Sequence, residues 1–285
     1  MEDFATYILG ETDLSQKMLI TYYLSKKTGI FFDKSIVLKA ELTRLFIEYM
    51  GINVDENLVL TAMLLCNCKK TENAQKIGRL ETYAKDGADY LSLLGFNKRF
   101  CKICEEVNRY SGSTPREKES DILEIVDQFT GLILNRTERE AFTTEEALVV
   151  LKERNLKYTD NRYIEQFTAF INDFEKITIK EKIDVPIIKK LVNLHNKEAN
   201  VKTFIVVISN TYTDKINEVL KKQQKLKTKK MLADVEEENN QDELKTNMDK
   251  MKELVSSNKK STRAIFSDDI AKKVLNHESK YKVEE

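Results

Sequence analysis

The stretch Asn57-Leu-Val-Leu-Thr-Ala-Met-Leu-Leu-Cys-Asn-Cys68 decides the fold. Leu58, Val59, Leu60, Ala62, Met63, Leu64 and Leu65 make it apolar on nearly every side, so it reads as a helix buried at the centre of a bundle. Working outward, Leu38, Leu42, Leu45, Phe46, Tyr49 and Met50 recur with helical period, and Gly51 follows where a helix end favours a left-handed residue. Downstream, the pattern predicts helices over 79–94, 98–110 and 120–135, broken by Gly95-Phe-Asn97 and Ser111-Gly-Ser-Thr-Pro115. Thr143 and Glu146 make a capping box before Ala147, Leu148, Val150 and Leu151, and Tyr163, Ile164, Phe167, Phe170 and Ile171 mark another amphipathic helix. Only two prolines and eight glycines interrupt the chain. The expectation is an all-α fold, with a helical lead-in over 1–35 and one helical domain over 36–174.

Past Phe174 the character changes. Pro186, in Ile183-Asp-Val-Pro-Ile-Ile-Lys-Lys-Leu191, opens a short helix, while Thr203-Phe-Ile-Val-Val-Ile-Ser209 suits a strand or a buried helical turn equally. From Asp214 a long, weakly apolar helix carries Lys221, Lys222, Lys225, Lys227, Lys229 and Lys230, and completes an accessory region over 175–235. The remainder, 236–285, opens on Glu236-Glu-Glu238 and reads as a charged, flexible tail with a further short helix near 267–276.

Composition excludes several classes of function. Of 285 residues, 33% are charged, but 47 basic and 47 acidic residues cancel, so no global field favours nucleic acid or an anionic membrane. No segment approaches the roughly 20 apolar residues of a membrane helix, and Met1-Glu-Asp-Phe-Ala5 lacks a secretory n-region. A cytoplasmic protein is expected, its four cysteines being thiols or metal ligands rather than disulfides.

The order of patterns from Ile36 to Phe170 resembles the HD-GYP family, whose members are all-helical, metal-dependent phosphodiesterases known for cleaving bacterial cyclic di-GMP. The resemblance covers about half the chain. Its most specific part is Ile122-Leu-Glu-Ile-Val-Asp127-Gln-Phe129-Thr-Gly-Leu132, then Arg136, Arg139 and Ala141-Phe-Thr-Thr-Glu-Glu-Ala-Leu148. These are similar to the family's metal-binding aspartate helix, its following arginine, and the helix opened by Glu-Glu-Ala-Leu. It implies an HD-domain-like bundle with a charged, mainly helical C-terminal extension.

The family's histidines are replaced. Leu64-Leu-Cys66-Asn67-Cys68-Lys-Lys70 stands where the family has leucine, leucine, histidine, aspartate, any residue, glycine, lysine, so only Lys70 is retained among the polar positions. Glu105 and Glu106 fall at a paired-histidine segment, Tyr83 falls at another metal histidine, and the glycine-tyrosine-proline signature keeps only Pro115. Asp127 is the one family-type metal ligand left. One carboxylate holds a hard metal weakly, so no cofactor and no catalytic residue is expected, while Lys70 and Arg136 remain suited to a phosphate or an acidic partner.

Two metal readings stand beside this one. A remodelled centre would draw on Cys66, Glu105, Glu106 and Asp127 and hold iron, manganese or zinc. A structural zinc site would use Cys66, Cys68, Cys101 and Cys104, but residues two apart on a helix point about 200 degrees from each other, which favours buried thiols. Against the remodelled centre, Glu105 and Glu106 would be solvated helix charges and Asp127 a hydrogen-bond acceptor near a helix terminus. Lys221, Lys222, Lys225 and Lys229 offer cations for nucleic-acid phosphates, but without aromatic residues between them to stack on bases. His195 has no ligand-spaced Cys, Asp or Glu, and His277 lies in the tail. The function expected is a non-catalytic signalling or regulatory module of bacterial type. It would bind a protein, another copy of itself, or a nucleotide, with no membrane partner. The alternatives are a divergent phosphodiesterase and a nucleic-acid-associated protein.

Overall fold

A computed structural model describes residues 4–70, 83–107, 116–136, 139–155, 160–176, 186–197 and 200–214, and residues 217, 218, 221, 222 and 225 beyond them. Eleven α-helices are present among these residues: α1 Phe4–Gly10, α2 Leu14–Thr28, α3 Lys34–Met50, α4 Glu56–Leu65, α5 Tyr83–Leu93, α6 Lys98–Glu106, α7 Lys118–Ile133, α8 Thr144–Arg154, α9 Ile164–Lys176, α10 Ile187–Lys197 and α11 Val201–Val207. A π-helical turn, Ile208–Thr213, continues α11. The fold is all-α: there is no strand among the described residues, and Arg136 and Arg139 form an isolated bridge. None of these helices is long and apolar enough to cross a membrane.

Short polar side chains start the helices. Asp13, Asp33, Asp55, Asn97 and Asn200 each accept backbone N–H groups from the first turn that follows, and Thr143 with Glu146 forms the expected capping box. Gly29 and Gly51 close α2 and α3 in left-handed conformation, at φ of 69° and 60°.

At the centre lies α3, in contact with α4, α7, α9, α10 and α11. Its Ile36, Val37, Leu38, Leu45 and Phe46 are buried almost completely, as are Val59, Ala62, Met63, Leu64 and Leu65 of α4. Phe46 is the hub of an aromatic cluster with Tyr163, Phe167 and Phe170, which continues through Phe129, Phe174 and Tyr49. One buried cluster runs from Phe4 and Ile8 through Ile187, Leu191, Phe204 and Ile208, so apolar packing crosses both expected boundaries, at Ile36 and at Phe174. Lys17 reinforces the N-terminal end: fully buried, it donates to the Ile8 carbonyl and to Thr61 Oγ1, tying α1 and α4 to α2.

Two sequence expectations change in detail, and a third holds over the described residues. The ambiguous segment 203–209 is helical, its start fixed by Asn200, whose side chain accepts from Lys202 N and Thr203 N. The core helix ends at Leu65, and Cys66 to Lys69 form a turn that re-aims the following side chains. From Asp214 the described residues are helical as far as Lys225, and Arg44 of α3 meets Asn217 there. The tail over 236–285 with its expected helix, His277, the segment 111–115, and Lys227, Lys229 and Lys230 lie outside the described residues.

Candidate functional site

Three side chains converge on Asp127, which sits in the middle of α7 rather than near a terminus. From α3, Lys39 Nζ approaches Asp127 Oδ1 at 2.8 Å. Asn67, in the turn after α4, donates through Nδ2 to the same oxygen at 3.0 Å. Lys70 lies 3.8 Å from Oδ2, with its ammonium 5.6 Å from the centre of the Tyr83 ring at the start of α5. Exposure rises across the cluster: Asn67 is fully buried, the side chains of Lys39 and Asp127 are 7% and 17% exposed, and that of Lys70 is 34% exposed.

Burial by itself would raise the Asp127 carboxyl, but Lys39, Lys70 and the Asn67 amide outweigh it and hold the group well below the usual carboxylate range. Burial opposes the Lys39 charge in turn, and Asp127 more than restores it, so its pKa is raised. Lys70 goes the other way. Asp127 favours its charge, yet burial and the like charges of Lys39 and Arg136 bring it below the ordinary lysine value. Cys66 is pushed up to about 12, by burial first and then by Asp127, and stays a neutral thiol.

These residues do not fit a divalent metal. Asp127 Oδ1 already accepts from an ammonium and an amide, and Oδ2 faces a second ammonium, so a metal at this carboxylate would sit against two positive charges. The remodelled centre does not assemble either, because Glu106 is committed elsewhere. Far from being a solvated helix charge, it is fully buried, accepts from Glu117 N at 2.7 Å and Ser120 Oγ at 3.0 Å, and pairs with Lys102 at 3.5 Å. Its neighbour Glu105 is half-buried on α6. Among the described residues no group of three or more His, Cys, Asp or Glu is arranged to hold a metal. Cys66, Cys68 and Cys104 are buried thiols outside any disulfide and Cys101 is half-buried.

Arg136 follows α7, exposed, beside a depression of about 300 Å³ that it lines with Asn135, Arg139, Glu140 and Ala141. Arg139 is structural, donating to the carbonyls of Gly131 and Leu132 at the end of α7. The absence of a side chain at Gly131 matters here: a Cβ would come within 2.5 Å of Arg136 Nη2, so this glycine lets the guanidinium lie against the helix.

Of the basic helix, Lys221 is half-buried and Lys222 and Lys225 are exposed. His195 is partly packed, its ring edge-on to Phe204 and its carbonyl accepting from Lys34 Nζ at 2.6 Å.

The residue that sequence reasoning missed is Lys39. Its signal was present, since Ile36-Val-Leu-Lys39-Ala is a lysine inside an otherwise apolar run, on a helix with no solvated face there. Comparison with protein-family models, curated proteins and solved structures finds no match to this chain.

Proposed function

We propose that this chain is a degenerate HD-GYP-like module of bacterial signalling or regulation, which has exchanged metal-dependent hydrolysis for binding, with a protein or a nucleotide as its partner. One observation carries the reading. Among the described residues the carboxylate at the expected metal position is Asp127, and it is already neutralised by the buried ammonium of Lys39. An ammonium fixed at 2.8 Å supplies the charge that a metal ion would otherwise supply, but it offers no open coordination position to activate water. What the site keeps is positive charge at its opening, from Lys70 and Arg136, which suits an anionic group of a partner.

Elemental mass spectrometry of the full chain purified without chelator tests this, together with hydrolysis of cyclic di-GMP and of an activated phosphodiester in added manganese. The expected result is no stoichiometric metal and no turnover, in the wild type and in Asp127→Ala alike. Bound iron, manganese or zinc near one equivalent that disappears in Asp127→Ala, with turnover that follows it, would overturn the proposal.

A further inference from the structure

The Asp127 cluster has two unmet needs. The first is negative charge. Among the described residues two ammonium groups, the buried one of Lys39 and the partly exposed one of Lys70, have one carboxylate within ion-pair distance, and Arg136 adds to the positive field at Lys70. Cys66 does not supply the missing anion, because its buried sulfur donates to the Met63 carbonyl as a thiol. Uncompensated charge inside a protein is costly, so a second anion stabilises this arrangement wherever one can enter.

The second need is a hydrogen-bond donor. Asn67 is fully buried, and its Oδ1 is a buried acceptor without a partner. The amide is not free to flip, because a carboxylate only accepts, so Nδ2 must face Asp127 and Oδ1 must face away from that oxygen. Asp127 Oδ2 is also under-used: its nearest cation, at 3.8 Å, lies beyond hydrogen-bond distance.

An anion that also donates meets both needs. We infer that the Lys39, Asn67, Lys70 and Asp127 cluster is a binding site for inorganic phosphate in its monohydrogen form. The two lysines would take the unprotonated oxygens, and the single P–O–H would donate to Asn67 Oδ1 or Asp127 Oδ2. The gradient of exposure from Asn67 to Lys70 gives the direction of entry. Sulfate is an isosteric dianion with no proton to donate. A phosphate monoester, with its second pKa near about 6, has also lost its proton in mildly alkaline solution. The inference rests on the reading of this site as a binding pocket without metal.

Isothermal titration of the full chain at pH 8, in chelator, with inorganic phosphate, sulfate and methyl phosphate in turn, tests it. Phosphate is expected to bind one to one, and both other anions on the order of tenfold or more weaker, the scale on which an unmet buried acceptor counts. Lys70→Gln, a change at a partly exposed side chain, should remove phosphate binding while the helical circular dichroism stays unchanged. Absence of binding, or equal affinity for sulfate, would overturn this inference and leave the preceding proposal standing. Phosphate bound only after metal is added back would overturn the metal-free reading as well.

Discussion

Replacing Lys39 by methionine should destabilise the protein far more than a typical lysine substitution, and it should do so in a pH-dependent way. Methionine matches the stem of lysine and removes only the ammonium, so the packing of α3 against its neighbours is largely kept. What is lost is the 2.8 Å partner of a carboxylate only 17% exposed. Breaking one side of a buried pair costs about 3–5 kcal/mol, and because Asn67 and Lys70 remain beside Asp127 the lower end applies, about 3 kcal/mol. At roughly 2–4 °C per kcal/mol for a domain of this size, the melting temperature should fall by about 6–12 °C. The sign with pH follows from linkage. The Asp127 carboxyl is depressed in the fold, so its contribution is present above the unfolded value of about 3.9 and is lost as pH falls through the lower folded value. In Lys39→Met that depression is relieved and burial pushes the carboxyl up, so the deficit against wild type is largest near neutral pH and shrinks as the medium is acidified. Urea titrations at two pH values, on Lys39→Met, Asp127→Asn and the double variant, complete the cycle. The double variant should recover most of the loss, with a coupling of about 2 kcal/mol or more. Additive single effects, with coupling below about 0.5 kcal/mol, would refute the idea that the two residues neutralise each other.

Lys17 should give a pH dependence of the same sign in an alkaline window. Its pKa is lowered to about 8, chiefly by burial. A depressed group contributes its stability above the unfolded value of about 10.4 and loses it as pH falls through the folded one, so wild type should gain roughly 3 kcal/mol between about pH 8 and 10. Lys17→Met should flatten that rise in denaturant titrations, and an unchanged profile would show that the amine is not the titrating group. The thiols should react in the order of their burial: alkylation of native protein followed by mass spectrometry should label Cys101 first, whereas Cys66 and Cys104, buried and with raised pKa values, should require unfolding. Early labelling of Cys66 would mean that the turn after α4 opens readily.

Much of the architecture was readable because it depends on local order. The apolar run before Gly51 and the capping box at Thr143 and Glu146 each act within a few residues and form as the pattern predicts, and the run from Asn57 forms its helix but stops at Leu65, short of Cys68. The helix at 201–207 was ambiguous because a β-branched apolar run fits either structure, although Asn200 already held the capping signal that decides it. The candidate site was legible only in part. Asn67, Lys70, Asp127 and Arg136 were picked out by resemblance, and Asn67 and Lys70 do meet at Asp127. Lys39 and the true environment of Glu106 were missed for one reason: a charged side chain is ordinarily assigned to solvent, and the partner that permits burial lies far off in the chain.

The hydroxyls of Ser15, in α2, and Ser209, in the π-helical turn, are hydrogen-bonded although 194 residues separate them. Around that bond, α2 packs on α11, so the opening helices are completed by one of the last described elements. For a chain leaving the ribosome at roughly 5–20 residues per second, the early helices wait on the order of ten to forty seconds for their cover. During that interval the apolar faces of α2 and α3 that α11 will cover are the surface a nascent-chain chaperone would hold. A stop codon shortly before Asn200 would leave the same faces permanently open and commit the fragment to aggregation or degradation.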